Sequence, residues 1–230
     1  MTAKTKISYH SWVKLDLQGV KAVLFDLDGT LVESSEAIIN AVEKALEFKG
    51  LTCDRAKVAR MIGVPLENIF GVLVPNLPEE EIWQLVHEYR KYYMAHHLEN
   101  TTIHPSAQMV LRKLKAKGLK LGIITTKYRE PVMDILSHFG ISELFDVVVT
   151  GYEVIRHKPA PDIVLEAAKR LKVDPKQCVV VGDSPLDVQA GKRAGSFTIA
   201  VLSTAYTRKQ LESAKPTIII EKLEEILNIS

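Results

Sequence analysis

The stretch Val23-Leu24-Phe25-Asp26-Leu27-Asp28-Gly29-Thr30-Leu31 decides how the rest of the chain is read. An apolar run of strand character ends abruptly in two carboxylates, two positions apart, followed by Gly-Thr. A buried charge costs several kcal/mol unless it is paired or coordinates something. In a strand, residues i and i+2 face the same way. The spacing therefore predicts that Asp26 and Asp28 both point into one pocket at the strand's C-terminal end. Gly29 lets the backbone turn there, and Thr30 can hydrogen-bond locally. A solvent-exposed turn is the alternative for an isolated Asp-x-Asp-Gly, so the rest of the chain has to decide.

Further short, β-branched runs carry the same signature: Leu119–Thr125, Phe145–Val149 and Cys178–Val181, with Ser196–Leu202 and Thr217–Ile220 as two more. Val20–Phe25 is the first of the set. Helical patterns lie between most of them, at Ser106–Lys117, Pro131–Phe139, Pro161–Leu171 and Pro185–Ala194. Buried runs alternating with helices predict an α/β fold built on a doubly wound, parallel, Rossmann-like sheet. One region breaks the rhythm. From Glu33 to Leu98 there is no strand pattern, only helical segments at Ser35–Phe48, Asp54–Ile62, Leu66–Leu73 and Pro78–His97. This predicts an inserted α-helical cap over 33–99, with 1–32 and 100–230 forming the α/β core. Insertions at the C-terminal ends of parallel strands tend to cover the ligand crevice.

The totals bound the function. The chain has 230 residues, 47% of them apolar, and a formal net charge of +2. That is enough apolar side chain for a real core and too balanced a charge for a nucleic-acid binder. No run approaches ~20 apolar residues, so no membrane span is expected. The first twenty residues lack the continuous apolar segment of a signal peptide. Two cysteines, Cys53 and Cys178, do not suggest a disulfide framework, and a cytoplasmic location is the default. The composition leaves monomer and homodimer equally open.

Three more strand ends carry polar groups: Thr125-Thr126-Lys127, the segment leading to His157-Lys158-Pro159, and Gly182-Asp183-Ser184 with Asp187 beyond it. In a parallel sheet these ends lie along one edge. The implied cluster holds three or four carboxylates, one or two hydroxyls and a lysine. Carboxylates crowded this closely repel, and a hard divalent cation resolves the conflict; Mg²⁺ suits a small site of carboxylates, water and phosphate. A metal, an anion pocket and a free carboxylate together describe phosphoryl transfer to an aspartate.

In order and in placement, Asp26-Leu27-Asp28-Gly29-Thr30-Leu31, Thr125, Lys158-Pro159-x-Pro161-Asp162 and Gly182-Asp183-Ser184-x-x-Asp187 resemble the four motifs of the haloacid dehalogenase superfamily. The resemblance runs from about Val20 to the C-terminus, and the insertion resembles that superfamily's helical cap. Gly151-Tyr152-Glu153-Val154 is similar to the phosphoglycolate phosphatase-like group. The resemblance implies that Asp26 is the nucleophile and Asp28 the general acid and base. Thr125, with the backbone at Thr126, would bind phosphoryl oxygens, and Lys158 would stabilise their charge. Mg²⁺ would be held by Asp26, the Asp28 carbonyl and Asp183, with Asp187 a ligand or acting through water. The superfamily's dehalogenases lack an acid at the position of Asp28, so its presence points to phosphate esters.

The implied activity is hydrolysis of a small phosphorylated metabolite, phosphoglycolate first among them. Pyrophosphate, nucleotides, sugar phosphates and phosphosugar mutation are alternatives on the same scaffold, and a non-enzymatic phosphoacceptor domain is the rival of another class. Arg60, before the Gly63-Val64-Pro65 loop, is a candidate for a substrate carboxylate or else a solvated helix residue. Lys127 and Arg129 carry the same two readings. Thr126 stands where Asn is common in the group, and Pro105-Ser106-Ala107 where Pro-Gly-Val is usual. The segment before Leu17 is longer than the family needs.

Overall fold

A computed structural model of the protein describes residues 19–228. The readings placed on the first sixteen residues lie outside them. In chain order the main elements are β1 (Ala22–Phe25), β2 (Val32–Glu33), α1 (Ser35–Glu47), α2 (Arg55–Ala59), α3 (Leu66–Leu73), α4 (Glu79–His96), β3 (Thr102–Ile103), α5 (Ala107–Ala116) and β4 (Lys120–Thr125). They continue with α6 (Arg129–His138), β5 (Val147–Thr150), α7 (Asp162–Leu171), β6 (Cys178–Gly182), α8 (Pro185–Ala194), β7 (Phe197–Val201), α9 (Arg208–Ala214) and β8 (Ile218–Ile220).

Six strands form one parallel sheet in the order β5-β4-β1-β6-β7-β8. The doubly wound α/β architecture follows from the period of two in the strands. Val23 and Phe25 face one way, into a core shared with Val110 and Leu111 of α5 and Val132 and Ile135 of α6. Ala22 and Leu24 face the other way, against Ile163, Val164 and Ala167 of α7. A strand buried on both faces has to be apolar throughout, which is why β1 reads as an unbroken run. The chain winds outward from β1 in one direction through β4 and β5, then crosses back to β6. A reversal of this kind opens a crevice at the strands' C-terminal ends, and β1 delivers Asp26 to it.

Between β2 and β3, α1 to α4 pack around a core of their own, in which Ala41, Val42 and Leu46 of α1 meet Leu85, Tyr89 and Tyr93 of α4. The two linkers of this helical layer pair antiparallel, Val32 with Ile103 and Glu33 with Thr102. This ribbon was not expected, because two-residue strands are too short to display a period. Two helix boundaries also differ from the sequence reading. α2 stops at Ala59 rather than Ile62, where turns at Met61 and Val64 take over. α6 begins at Arg129, so Pro131 lies in its first turn, where a missing N–H costs nothing. Cys53 and Cys178 are unpaired. Among the described residues no helix is long and apolar enough to cross a membrane.

Leu24 is fully buried between β4 and β6. Leu24→Ala is expected to cost about 2–5 kcal/mol in urea unfolding; a loss under about 1 kcal/mol would mean that β1 is not the centre of the core.

Candidate active site

The ladder of β1 reaches one residue past the strand: the Asp26 N–H donates to the Val181 carbonyl at 2.8 Å. Asp28 does not continue it. The Leu27 carbonyl accepts the N–H groups of Leu31 and Val32 at 3.0 and 3.1 Å, and Gly29 N–H donates to Val32 O at 2.7 Å. The two aspartates share one cavity, as the spacing suggested, but by a turn rather than by strand alternation. Asp26 arrives on the sheet and Asp28 on a tight turn. Gly29 makes that turn with φ +82°, and a Cβ there would collide with the Asp183 carboxylate. Only glycine satisfies both conditions.

Lys158 is 7% exposed and its three N–H donors are all taken: Asp26 Oδ1 at 2.7 Å, Asp187 Oδ1 at 2.6 Å and the Ile124 carbonyl at 2.8 Å. Burial works against this ammonium, but Asp187 and Asp26 outweigh it and hold its pKa above the ordinary lysine range. Asp187 is fixed a second way. It sits in the first turn of α8 and forms a capping box with Ser184, whose N–H and hydroxyl both donate to Asp187 Oδ2. Asp183, at the end of β6, accepts from Ser203 Oγ at 2.8 Å. Oxygens of Asp26, Asp183 and Asp187 lie within 4.8 Å of one another. Burial first, then the Asp187 charge, push Asp183 up to about 7. Burial also raises Asp26 well above the carboxylate range despite Lys158. Two buried carboxylates and one half-buried one against one ammonium form an all-oxygen donor set with surplus negative charge, which fits a hard divalent cation.

Asp28 lives in a different field. Its Oδ1 accepts from Ser34 Oγ and faces Lys127 Nζ at 3.2 Å. Lys127, read from sequence as a substrate-site or solvated residue, is buried, and it also donates to the Tyr93 hydroxyl at 2.8 Å. A cleft open to solvent, about 500 Å³ with that solvent space included, is lined by Asp26, Asp28, Lys158, Asp183 and Asp187, with Ile62 and Gly63 of the helical layer across from them. A neighbouring cavity of about 450 Å³ shares Asp28, Ile62 and Gly63 and extends past Ile38, Ile69, Thr126, Lys127 and Tyr128. Thr125 is buried at the end of β4, where its hydroxyl accepts the Lys127 N–H at 3.2 Å, and it lines neither cavity. Arg60 is exposed beyond α2 and lines neither; its carbonyl lies 3.5 Å from the Tyr206 hydroxyl. Arg129 pairs with Glu153 at 3.1 Å. His97 is buried and stacked on Tyr93, whereas His96 turns to Glu99. Ser34, Ser203 and Tyr93 carried no sequence signal: each is an ordinary residue, and the partners of Ser203 and Tyr93 lie far along the chain.

A family model described as haloacid dehalogenase-like hydrolase matches residues 23–201. The pyrophosphatase PpaX of Bacillus velezensis is 36% identical over 217 residues, covering 92% of this chain and 96% of its own. Among solved structures, a predicted phosphoglycolate phosphatase from Haemophilus somnus superposes with a TM-score of 0.83 at 26% identity, over 92% of this chain and 98% of its own. A haloacid dehalogenase-like family hydrolase from Streptococcus pneumoniae superposes with a TM-score of 0.81 at 27% identity, over 92% and 98%.

Lys158→Met leaves Asp26 and Asp187 facing each other without a counter-charge. Breaking a buried pair in this way costs about 3–5 kcal/mol. The cost is expected to be larger near pH 8 than near pH 5, where Asp26, raised above the carboxylate range, can take up a proton instead. Equal losses in urea melts at both pH values would show that Lys158 is not their counter-charge.

Proposed function

The chain belongs to the haloacid dehalogenase-like hydrolases and is a phosphatase of that family, and on that footing we propose that it hydrolyses a small organic phosphate monoester through an aspartyl-phosphate on Asp26. The observation that carries this reading is the split between the two aspartates. Asp26 has Oδ1 on Lys158, and among the described residues its Oδ2 takes no hydrogen bond. That leaves one oxygen for in-line attack on phosphorus. Asp28 lines both cavities and stands apart from the Asp26–Asp183–Asp187 cluster. It is placed to give a proton to the leaving oxygen as the P–O bond breaks and to take one from the water that then attacks the phospho-aspartate. Lys158 holds the charge on Asp26 and on the transferred group. The backbone at Thr126, which lines the second cavity, would bind the phosphoryl oxygens; Thr125 lines neither cavity and would join it there only by turning its hydroxyl proton toward the group.

Mg²⁺ would be held by Asp26, Asp183, the Asp28 carbonyl and either Asp187 or a water on it, and would supply charge neutralisation at the phosphoryl oxygens. Ser203 orients Asp183 for that task and Ser184 orients Asp187.

The second cavity supports the substrate class. Its walls mix apolar side chains, Ile38, Ile62, Val64 and Ile69, with polar groups, and among the described residues Lys127 is the one ammonium in its lining, already paired with Asp28. A short organic leaving group such as the glycolate of phosphoglycolate suits these walls better than a second phosphate, which would bring two more negative charges. Pyrophosphate is the second reading, favoured by the name of the PpaX relative. Arg60, exposed here, is a candidate for contacting substrate only if α2 shifts. The unpaired cysteines support a cytoplasmic setting. Its small phosphorylated substrate is the partner we assign it, with no nucleic acid or membrane involved.

A panel of phosphate esters with pyrophosphate included, ranked by kcat/KM, tests the class: organic monoesters should lead, and pyrophosphate ranked first would replace this reading by the second. Asp26→Asn is expected to remove about three orders of magnitude or more of turnover while leaving the melting temperature nearly unchanged. Turnover near the original level would exclude the nucleophile. Asp183 has a folded-state pKa raised to about 7. Its proton stabilises the metal-free fold below the unfolded value, and that contribution is lost as pH rises through about 7. Mg²⁺ added to chelator-treated protein should therefore raise Tm more near pH 8 than near pH 6. Equal shifts would separate the cation from these oxygens.

A further inference from the structure

The mechanism above uses Asp28 but leaves unexplained what surrounds it. Lys127 is a long, flexible side chain at the end of β4, yet it is only 6% exposed. Its ammonium spans two layers of the molecule, facing Asp28 Oδ1 of the core at 3.2 Å and donating to the Tyr93 hydroxyl of α4 at 2.8 Å. Tyr93 is itself 1% exposed, stacked between Tyr89 and His97, and lines neither cavity. It is therefore out of reach of any substrate. The helical layer meets the core again close by, where Arg90 of α4 lies over the rings of Tyr128 and Tyr152 at 5.1 and 4.9 Å. Ser34, next to the β2–β3 ribbon, donates to the same Oδ1 of Asp28. Both donors fall on one oxygen, and among the described residues Oδ2 takes no hydrogen bond.

We propose that Lys127 is a positioning residue for Asp28, locked in place by Tyr93, so that Oδ2 is turned to the leaving group only while the helical layer is seated on the core. This rests on the acid–base reading of Asp28. With Oδ1 anchored by two donors, the carboxyl cannot rotate to exchange its oxygens without breaking both contacts. The proton that passes to the leaving oxygen then sits on Oδ2. A lysine held only from the core side would leave Asp28 in the same place whether or not the helices were closed over substrate. The bond to Tyr93 makes its position depend on α4.

The consequence is selective. A nitrophenolate departs without protonation, whereas an alkoxide needs the proton, so misplacing Asp28 harms only the second in the step that kcat/KM reports. The test measures kcat/KM for 4-nitrophenyl phosphate and for a simple alkyl phosphate, whose alkyl leaving group carries no charged substituent for Lys127 to bind. Lys127→Met is expected to lower the alkyl value by about tenfold or more and the nitrophenyl value by less than about threefold. Lys127→Arg should restore part of the loss. Tyr93→Phe, a conservative change remote from both cavities, should show the same selectivity at smaller amplitude and add nothing to Lys127→Met in the double variant.

Equal losses on both substrates, or none, in Lys127→Met and Tyr93→Phe would overturn the proposal. Asp28→Asn separates the levels. If it spares the alkyl substrate, the acid–base reading fails and the proposal with it. If it is selective while the Lys127 and Tyr93 variants are not, only the positioning role falls.

Discussion

One ammonium group organises this molecule's chemistry. Lys158 donates to Asp26, Asp187 and the Ile124 carbonyl at once, and in doing so ties together the ends of β1 and β4 with the start of α8. Without it, three carboxylates, two of them buried, would have oxygens within 4.8 Å of one another and no cationic partner among them. With it, the cluster keeps a surplus of negative charge that a proton or a divalent cation can offset. Burial first, and the neighbouring carboxylate charges after it, raise the pKa values of Asp26 and Asp183. A buried ion pair is a poor source of net stability, so this arrangement reads as one kept for what it does.

Identical side chains acquire different work from their surroundings. Asp26 sits on the sheet, paired with Lys158 inside the acidic cluster, while Asp28 sits one turn on, facing Lys127 and Ser34. Gly29 is the hinge of this separation: its backbone occupies a left-handed conformation and its missing side chain makes room for Asp183. The helices inserted directly after this turn then close the far wall of the cavity with Ile62 and Gly63. Nucleophile, proton carrier and lid are thus neighbours in sequence because they are consecutive parts of one crevice.

Much of the fold was legible before the structure. The β-branched runs at Leu119–Thr125 and Cys178–Val181 became β4 and β6 to within a residue, because strands buried on both faces leave an unmistakable apolar signature. The helical segments of the insertion were found for the same reason, their apolar faces repeating every turn. The misses were of two kinds. The β2–β3 ribbon was too short to show any period. Lys127 stayed open between a substrate contact and a solvated lysine because nothing near it in sequence reveals that Tyr93, on another layer, will hold it.

By itself the sequence determined the doubly wound sheet, the inserted helices and the gathering of Asp26, Asp28, Lys158, Asp183 and Asp187 at one edge. Apolar periodicity and strand-end position are local properties, and a parallel sheet turns strand ends into neighbours. Only the tertiary structure decided which lysine serves which aspartate, that Thr125 spends its hydroxyl on the Lys127 N–H, and that Arg60 stays outside both cavities. Those outcomes depend on side chains from different layers competing for the same few buried donors and acceptors. That competition has no record in any single stretch of the chain.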